Sequence, residues 1–572
     1  MHKASVGGFS PIHQVSWLQR ARLFLFEYLT LPNLIGLCGA ICALFLLIGL
    51  REPWNFRIPL YCVLLVWTIL RPRIALYLMA FAVPWGSLDT IDVAGLHLNS
   101  ADILVVLLGF GWLMSFTLLP TISYGRRGTY SGTAGPLDRG ALTVPFYLVI
   151  AMLLLIGTMV LSMRESISIS SSLKEVSKWL EFLVLVLIGS QYLRTRREVW
   201  TIIVLVCLGG ITQAFFGYSQ AFFNLGPASF IRDTSLRVYG TFDQPNPFAG
   251  YLNLPLSIAV ALMLLGSTWL TRILGGLTSV FLAAAIYLTK SRGGEIAIAA
   301  ALLFIVIVGL PHLRKLVALL ALAGLVVVEI FFAGWIPTNV ITPLLKYLGV
   351  IQISFTNPSI EDFSTAERLA HWIAGVRMFV GHPLTGVGIG NYPDAYPQYF
   401  VTIFVNPLGH AHNYYINIAA ESGALGLTAF LLFLMAMFVA GGKAYTNINK
   451  KYKLAKAQSG LLPPNPPNLQ AHAPLGTRNK LILLAHPLKM FAHTRSHGIR
   501  NFTLMLGNDR ALAIGLLAAL LSVCVHNLVD DLYVHSLTNL MALLLIVLIR
   551  LDGVTKNVGG NGGNFDYAEI AR

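Results

Sequence analysis

Apolar runs of about 17–22 residues, the length a bilayer core requires of a helix, recur along the whole chain. They constrain the fold more than any other feature. In hydrocarbon every backbone polar group must be paired within the protein, so such runs become helices packed side by side. Candidate spans lie near residues 34–50, 58–70, 74–88, 101–120, 145–162, 177–193, 200–222, 249–266, 271–289, 294–310, 314–334, 421–440, 510–527 and 536–551. The second and third are short and close enough to be one hairpin. The expected fold is therefore an all-α, polytopic bundle of transmembrane helices, about 12–14 spans in number, with a large, partly helical extracytoplasmic loop.

Composition agrees. Charged residues make up 11% of the chain and the mean hydropathy is +0.70, too little charge to cover a soluble domain of this size. The net charge of +15 does not indicate nucleic acid, because no basic face with interleaved aromatics lies in a soluble segment. The basic residues sit in short loops between apolar runs, where they set topology. With the N-terminus inside, "RPR" at 71–73, "GRRG" at 125–128, "RTRRE" at 194–198, Arg272 and "HLRK" at 312–315 all fall inside. The five cysteines, Cys38, Cys42, Cys62, Cys207 and Cys524, all lie within apolar runs and read as small apolar residues. The start of the chain shows no cleavable signal pattern before the first span.

Five regions follow. Residues 1–33 form a cytoplasmic segment, 34–334 the first set of helices, and 335–420 the large extracytoplasmic loop. Residues 421–551 form the last helices, with a flexible cytoplasmic insert at 441–509 that contains "LLPPNPPNLQAHAPLG". Residues 552–572 form a disordered tail. Within the loop, Leu369, Trp372, Ile373, Val376, Phe379 and Val380 recur at helical spacing, which predicts an amphipathic helix on the membrane surface or over the bundle.

Four stretches carry chemistry. In "GHAHNYYINIAAESGALG", His412 and Asn413 precede a run in which Ala419 and Gly423, and Ser422 and Gly426, share helix faces. That spacing lets a neighbouring helix approach closely. His412 then falls in the first turn of a membrane helix, where the dipole disfavours imidazolium and leaves the neutral form a general base needs. An interfacial histidine that only caps backbone groups is the alternative, and His410 reads as a loop residue. Arg237 in "RVYGTFDQPNPFAGYL" and Arg292 in "LTKSRGGEIA", with Lys290 nearby, stand outside against the charge rule. They could snorkel to headgroups or converge on a phosphate, which a guanidinium fork matches bidentately. "HNLVDDLYVHSL" gathers His526, Asp530, Asp531 and His535 at the last outside turn, as a metal site or, more simply, a hydrogen-bonding corner. No Asp-x-Asp occurs, so arginine is the better charge partner for a diphosphate.

His-Asn, then nine residues, then Gly-x-x-Gly resembles the signature of the O-antigen ligase and Wzy-type polymerase superfamily. "RVYGTFDQPNPFAGYL", "SRGG", "GHPLTGVGIGNY" and "HNLVDDLYVHSL" are similar to its other landmarks, in the same order, over roughly residues 140–550. The resemblance implies an inverting, metal-independent class C glycosyltransferase of the cytoplasmic (inner) membrane, needing no cofactor. Its implied partners are an undecaprenyl-diphosphate-linked glycan donor, a glycan, lipid or protein acceptor, and the lipid bilayer. It implies His412 as the base that activates the acceptor hydroxyl. Arg237, Arg292 and, in the outer-loop helix, Arg368 would bind the diphosphate, with Asn413 and Asp530 supporting. "FDQPNP" departs from the family's commoner wording, and the insert is long. A transporter of a small anion such as bicarbonate is the competing reading; it would need discontinuous helices and polar groups at mid-membrane depth.

Overall fold

The structure, a computed structural model, describes residues 54–88, 90–93, 96–117, 143–232, 235–332, 355–358, 363–461 and 478–556. The expected span at 34–50, the N-terminal segment 1–33 and residues 557–572 lie outside the described residues, as does 462–477, the proline-rich part of the insert. The apolar runs form helices, as a chain without water to pair its backbone must. They are α1 (Trp54–Leu70), α2 (Arg73–Trp85), α3 (Ser100–Thr117), α4 (Phe146–Ser162), α5 (Ile169–Tyr192), α6 (Arg196–Phe223) and α7 (Pro245–Leu265). There follow α8 (Trp269–Thr289), α9 (Arg292–Gly309), α10 (Arg314–Phe332), α11 (Phe363–Gly381), α12 (Tyr414–Leu461), α13 (Arg478–His526) and α14 (Leu537–Lys556). Eight helical stretches among the described residues are long and apolar enough to cross a membrane, and three shorter apolar ones precede or join them. Two small antiparallel hairpins interrupt the helices. β1 (Thr90–Val93) pairs with β2 (Leu96–Asn99), Thr90 opposite Asn99; β3 (Ile231–Arg232) pairs with β4 (Ser235–Leu236).

The centre of the bundle is α7, α13 and α14, whose apolar windows are mostly buried, whereas α4 and α8 face largely outward. Beneath one end lies an aromatic cluster. Trp179 packs on Tyr533 (5.2 Å between ring centroids), and Tyr414 packs on Tyr533 (4.4 Å) and Phe430 (5.0 Å). These edge-on contacts each add about 0.5–1.5 kcal/mol beyond the area buried. They join α5, α12 and the turn between α13 and α14 into one floor.

Three expectations need correction. The expected flexible insert at 441–509 is helical on both flanks, because α12 runs on to Leu461 and α13 begins at Arg478. Ala440, Ala444, Ile448 and Ala455 are buried at helical spacing, a narrow stripe of small residues that looks polar in sequence because lysines surround it. The amphipathic helix is present as α11, but it buries its small face, Ala366, Ala370, Ala374, Gly375 and Met378 with His371. Val376 and Val380 remain exposed.

The third correction concerns Gly423. It is not a helical contact point but a break, with φ +64° and ψ −164° inside α12. The neighbour it admits is the backbone of a turn: a Cβ there would lie 2.2 Å from the Leu384 carbonyl carbon. The segment 383–388 fills both ends of the break. Ala424 N–H donates to the Pro383 carbonyl (2.8 Å), while Val387 and Gly388 donate to the carbonyls of Ala420 (2.9 Å) and Glu421 (3.0 Å). Every such pairing spares a buried group roughly 1–3 kcal/mol of desolvation. The "GHPLTGVGIGNY" stretch is thus the plug of a broken helix. A β-branched or bulky residue at 423 would meet both the positive φ and the plug.

Candidate functional site

His412 lies two residues ahead of α12, outside its first turn, in the left-handed region (φ +52°). Asn413 caps the helix instead. Its Oδ1 accepts the backbone N–H groups of Tyr415 (3.0 Å) and Ile416 (3.1 Å), a cap typically worth ~1 kcal/mol. Its Nδ2 donates to the Leu528 carbonyl (2.8 Å), and Tyr414 N–H donates to the Asn527 carbonyl (2.9 Å). The start of α12 is therefore tied to the 526–531 turn, and this brings Asp530 to His412. Their Nδ1 and Oδ1 atoms are 3.3 Å apart.

Asp530 is almost fully buried and multiply bonded. Oδ1 also accepts the Asp531 N–H (2.9 Å), and Oδ2 accepts Asn246 Nδ2 (2.6 Å). Asn246 Oδ1 in turn accepts Arg237 Nη2 (3.1 Å), while Arg237 Nε donates to the Thr289 carbonyl (2.9 Å). The turn is held from below by Lys178, whose Nζ donates to Glu175 (2.7 Å) and to the Tyr533 carbonyl (2.7 Å). Burial alone would raise the Asp530 pKa. The His412 hydrogen bond and the charges of His412, His410 and Arg368 instead hold it well below the usual carboxylate range. An ionised carboxylate only accepts, so His412 Nδ1 carries the hydrogen and Nε2 is left with a bare lone pair. Burial is the main cause that lowers the His412 pKa; the Asp530 hydrogen bond opposes it. The resting ring is neutral.

Two more histidines adjoin it. His410 Nδ1 accepts the His412 backbone N–H (3.0 Å), and its Nε2 stands 3.9 Å from Asp530 Oδ1. His371, fully buried on α11, stacks on Tyr396 (4.6 Å) and meets the His412 ring edge-on (5.7 Å). Burial lowers its pKa to about 4, helped by the charges of His412 and His410. Trp372 of the same helix donates its indole N–H to the His412 carbonyl (3.2 Å). α11 is therefore a wall of the site.

Of the residues expected from sequence, His412, Asn413, Asp530 and Arg237 form one connected network. Arg368 on α11 is part-buried and its charge reaches His412 and Asp530. Arg292 is exposed at the first turn of α9. The next residue, Gly293, packs so close to His526 that a Cβ would lie 2.8 Å from its Nε2, so α9 starts beside the 526–531 turn. The four-residue corner drawn from "HNLVDDLYVHSL" does not gather as such. His535 turns toward Phe242 (5.8 Å), and Asp530 joins the two histidines ahead of α12 instead. Asn246, His410 and His371 were not singled out as site residues. Asn246 stood inside a quoted motif; nothing in the sequence pairs His371 with His412, because that contact depends on how α11 folds over the bundle.

Among the described residues, His410, His412 and Asp530 are the group whose possible metal-ligand atoms lie within 4.8 Å of one another. In the structure as it stands these groups bond to one another: His410 Nδ1 accepts from the His412 backbone, and His412 Nδ1 meets the Asp530 carboxylate.

The fold and site define a multi-pass helical membrane protein with a carboxylate-oriented histidine and arginines at one end of the bundle. Residues 277–431 match the family model described as O-antigen ligase; the stretch runs from within α8 to within α12 and includes Arg292, Arg368, His412 and Asn413. The match supports membership of the O-antigen ligase and Wzy-type polymerase superfamily. No curated protein matches it.

Proposed function

We propose that the protein transfers or polymerises a glycan from undecaprenyl diphosphate onto an acceptor hydroxyl, at the extracytoplasmic face of the cytoplasmic membrane. The observation that carries this reading is the His412–Asp530 pair, with Nε2 of His412 bare and the carboxylate linked through Asn246 to Arg237. The acceptor oxygen attacks the anomeric carbon while its proton passes to His412 Nε2. The bond from that carbon to the diphosphate breaks, and the leaving group departs with the electron pair. A single displacement of this kind inverts the anomeric centre. Asp530 stabilises the imidazolium that forms. Arg237, Arg292 and Arg368 supply fixed positive charge for the diphosphate, whose charge grows as the bond breaks. Asn413 keeps the base at the mouth of α12. The donor bond carries the energy, so neither nucleotide nor metal enters the scheme.

The test is the size of the glycan left on undecaprenyl diphosphate in cells whose only copy carries His412→Ala. Single repeat units accumulating identify a polymerase. Long chains accumulating on the lipid identify a ligase. An unchanged pattern removes His412 from the chemistry.

The small-anion transporter draws on one observation, the break in α12 beside buried Glu421 and Ser422. Discontinuous helices serve ions when their open ends line a cavity. Here Pro383, Val387 and Gly388 occupy those ends, which favours the enzyme. Uptake of labelled bicarbonate into vesicles containing the purified protein would reverse that preference.

A further inference from the structure

His410 is not needed as a base, a metal ligand or a cap, yet it touches both members of the His412–Asp530 pair. Three features distinguish it from a loop histidine. Its Nδ1 accepts the His412 backbone N–H at 3.0 Å. That bond closes residues 410–412, directly after Leu408 and Gly409; Leu408, Gly409 and His412 all have positive φ, a conformation that costs a non-glycine residue of order 1–2 kcal/mol. Its remaining nitrogen, Nε2, faces Asp530 Oδ1 at 3.9 Å, and its ring lies edge-on to His412 at 4.5 Å. A neutral imidazole has one hydrogen, so accepting at Nδ1 places that hydrogen on Nε2, toward the carboxylate. His412 has the opposite arrangement. The two rings thus present N–H groups of opposite tautomers to one carboxylate oxygen.

We propose that His410 is a positioning residue that locks His412 in its Nδ1–H tautomer, by holding the strained 412 backbone through Nδ1 and by facing Asp530 with Nε2–H. This rests on the reading of His412 as the base. Without the Nδ1 contact, residue 412 can leave the left-handed region and its ring turns away from Asp530. Nε2 then no longer presents its lone pair to the acceptor.

The experiment reads the tautomer directly and needs no substrate. The full chain, labelled with ¹⁵N at histidine side chains, is studied by NMR in lipid nanodiscs at about pH 8, above the ordinary histidine range. His412→Gln and His410→Gln identify the two residues by difference. The expected result is an Nδ1–H ring at 412 beside an Nε2–H ring at 410. In His410→Ala, the Nδ1–H signal of His412 should give way to the commoner Nε2–H form. His410→Asn, whose Oδ1 can accept the same backbone N–H, should restore it. His410→Gln, which can only reach toward Asp530, should restore it less. Glycan transfer measured alongside should fall about tenfold or more in the alanine variant, as expected when an imidazole loses its orienting contacts, and recover in the asparagine variant. A His412 ring that stays Nδ1–H in His410→Ala, or an Nδ1–H ring at 410, overturns the proposal. So does failure of asparagine to restore what alanine loses. An inactive His412→Ala with any of those spectra would leave the base reading standing and reject only the role of His410.

Discussion

His412 owes its tautomer to Asp530 and its neutrality chiefly to burial. These two influences predict a pH dependence with a definite sign. The pKa of His412 lies below the ordinary 6.5, so the base form persists to lower pH than for a free histidine. Transfer should decline at lower pH than an unperturbed histidine base would allow, when assayed as rate against pH under saturating donor. Asp530→Asn keeps the shape but offers Nδ1 an amide, which can leave the ring in the wrong tautomer. It should lower the transfer rate by about 10²-fold or more, with the protein present at normal abundance in the membrane. Stability should follow the same direction. His371 and His412 are both held below 6.5, and Asp530 below its ordinary 3.8. The unfolded chain therefore binds more protons, and stability falls as pH is lowered, first through the histidine window and then through that of the carboxylate.

The helices themselves were readable element by element, because a run that must pair its own backbone in hydrocarbon has few alternatives. The break in α12 was not. A glycine three residues before another glycine looks the same whether it admits a helix or a turn of the preceding connection, and only φ +64° at Gly423 separates the cases. The extension of α12 to Leu461 was hidden for a different reason: its packing face is mostly alanine among lysines, so hydropathy falls while the helix continues. The site divides in the same way. His412, Asn413, Arg237 and Asp530 were legible because each stands in a short distinctive stretch. Asn246 and His371 act through contacts across 284 and 40 or so residues of chain, which spacing does not carry. Gly423→Ala tests the break. Its Cβ would enter the Leu384 backbone, so the apparent Tm in detergent should drop by several degrees or the protein should fail to accumulate. Gly442→Ala, where a Cβ would meet nothing within 4 Å, should be neutral or stabilising by about 0.5–1 kcal/mol.

Across the whole molecule the two ends differ in chemistry. The end away from His412 holds ion pairs between bundle helices, Arg196 with Asp509 (2.8 Å) and Lys451 with Asp552 (2.5 Å), among many further lysines and arginines. The His412 end uses arginine sparingly, close to a buried carboxylate. This is the charge asymmetry that orients membrane proteins. Leu408→Cys, beside the site, should react with a membrane-impermeant maleimide in intact cells of a strain whose copy lacks the native cysteines. Lys456→Cys should react only after permeabilisation. The reverse pattern would place His412 on the cytoplasmic side and remove lipid-linked donors on the outer leaflet from consideration.

The plug at 383–388 has one more consequence. It belongs to the long connection that precedes α12, yet its backbone completes the hydrogen bonding of α12 itself. Anyone exchanging this connection for that of a relative faces a fixed seam. A graft cut after Gly381 and rejoined at Asn391 would remove the missing turn of α12 along with the loop. One that keeps 382–391 could replace what lies upstream and still seat His412 at its post.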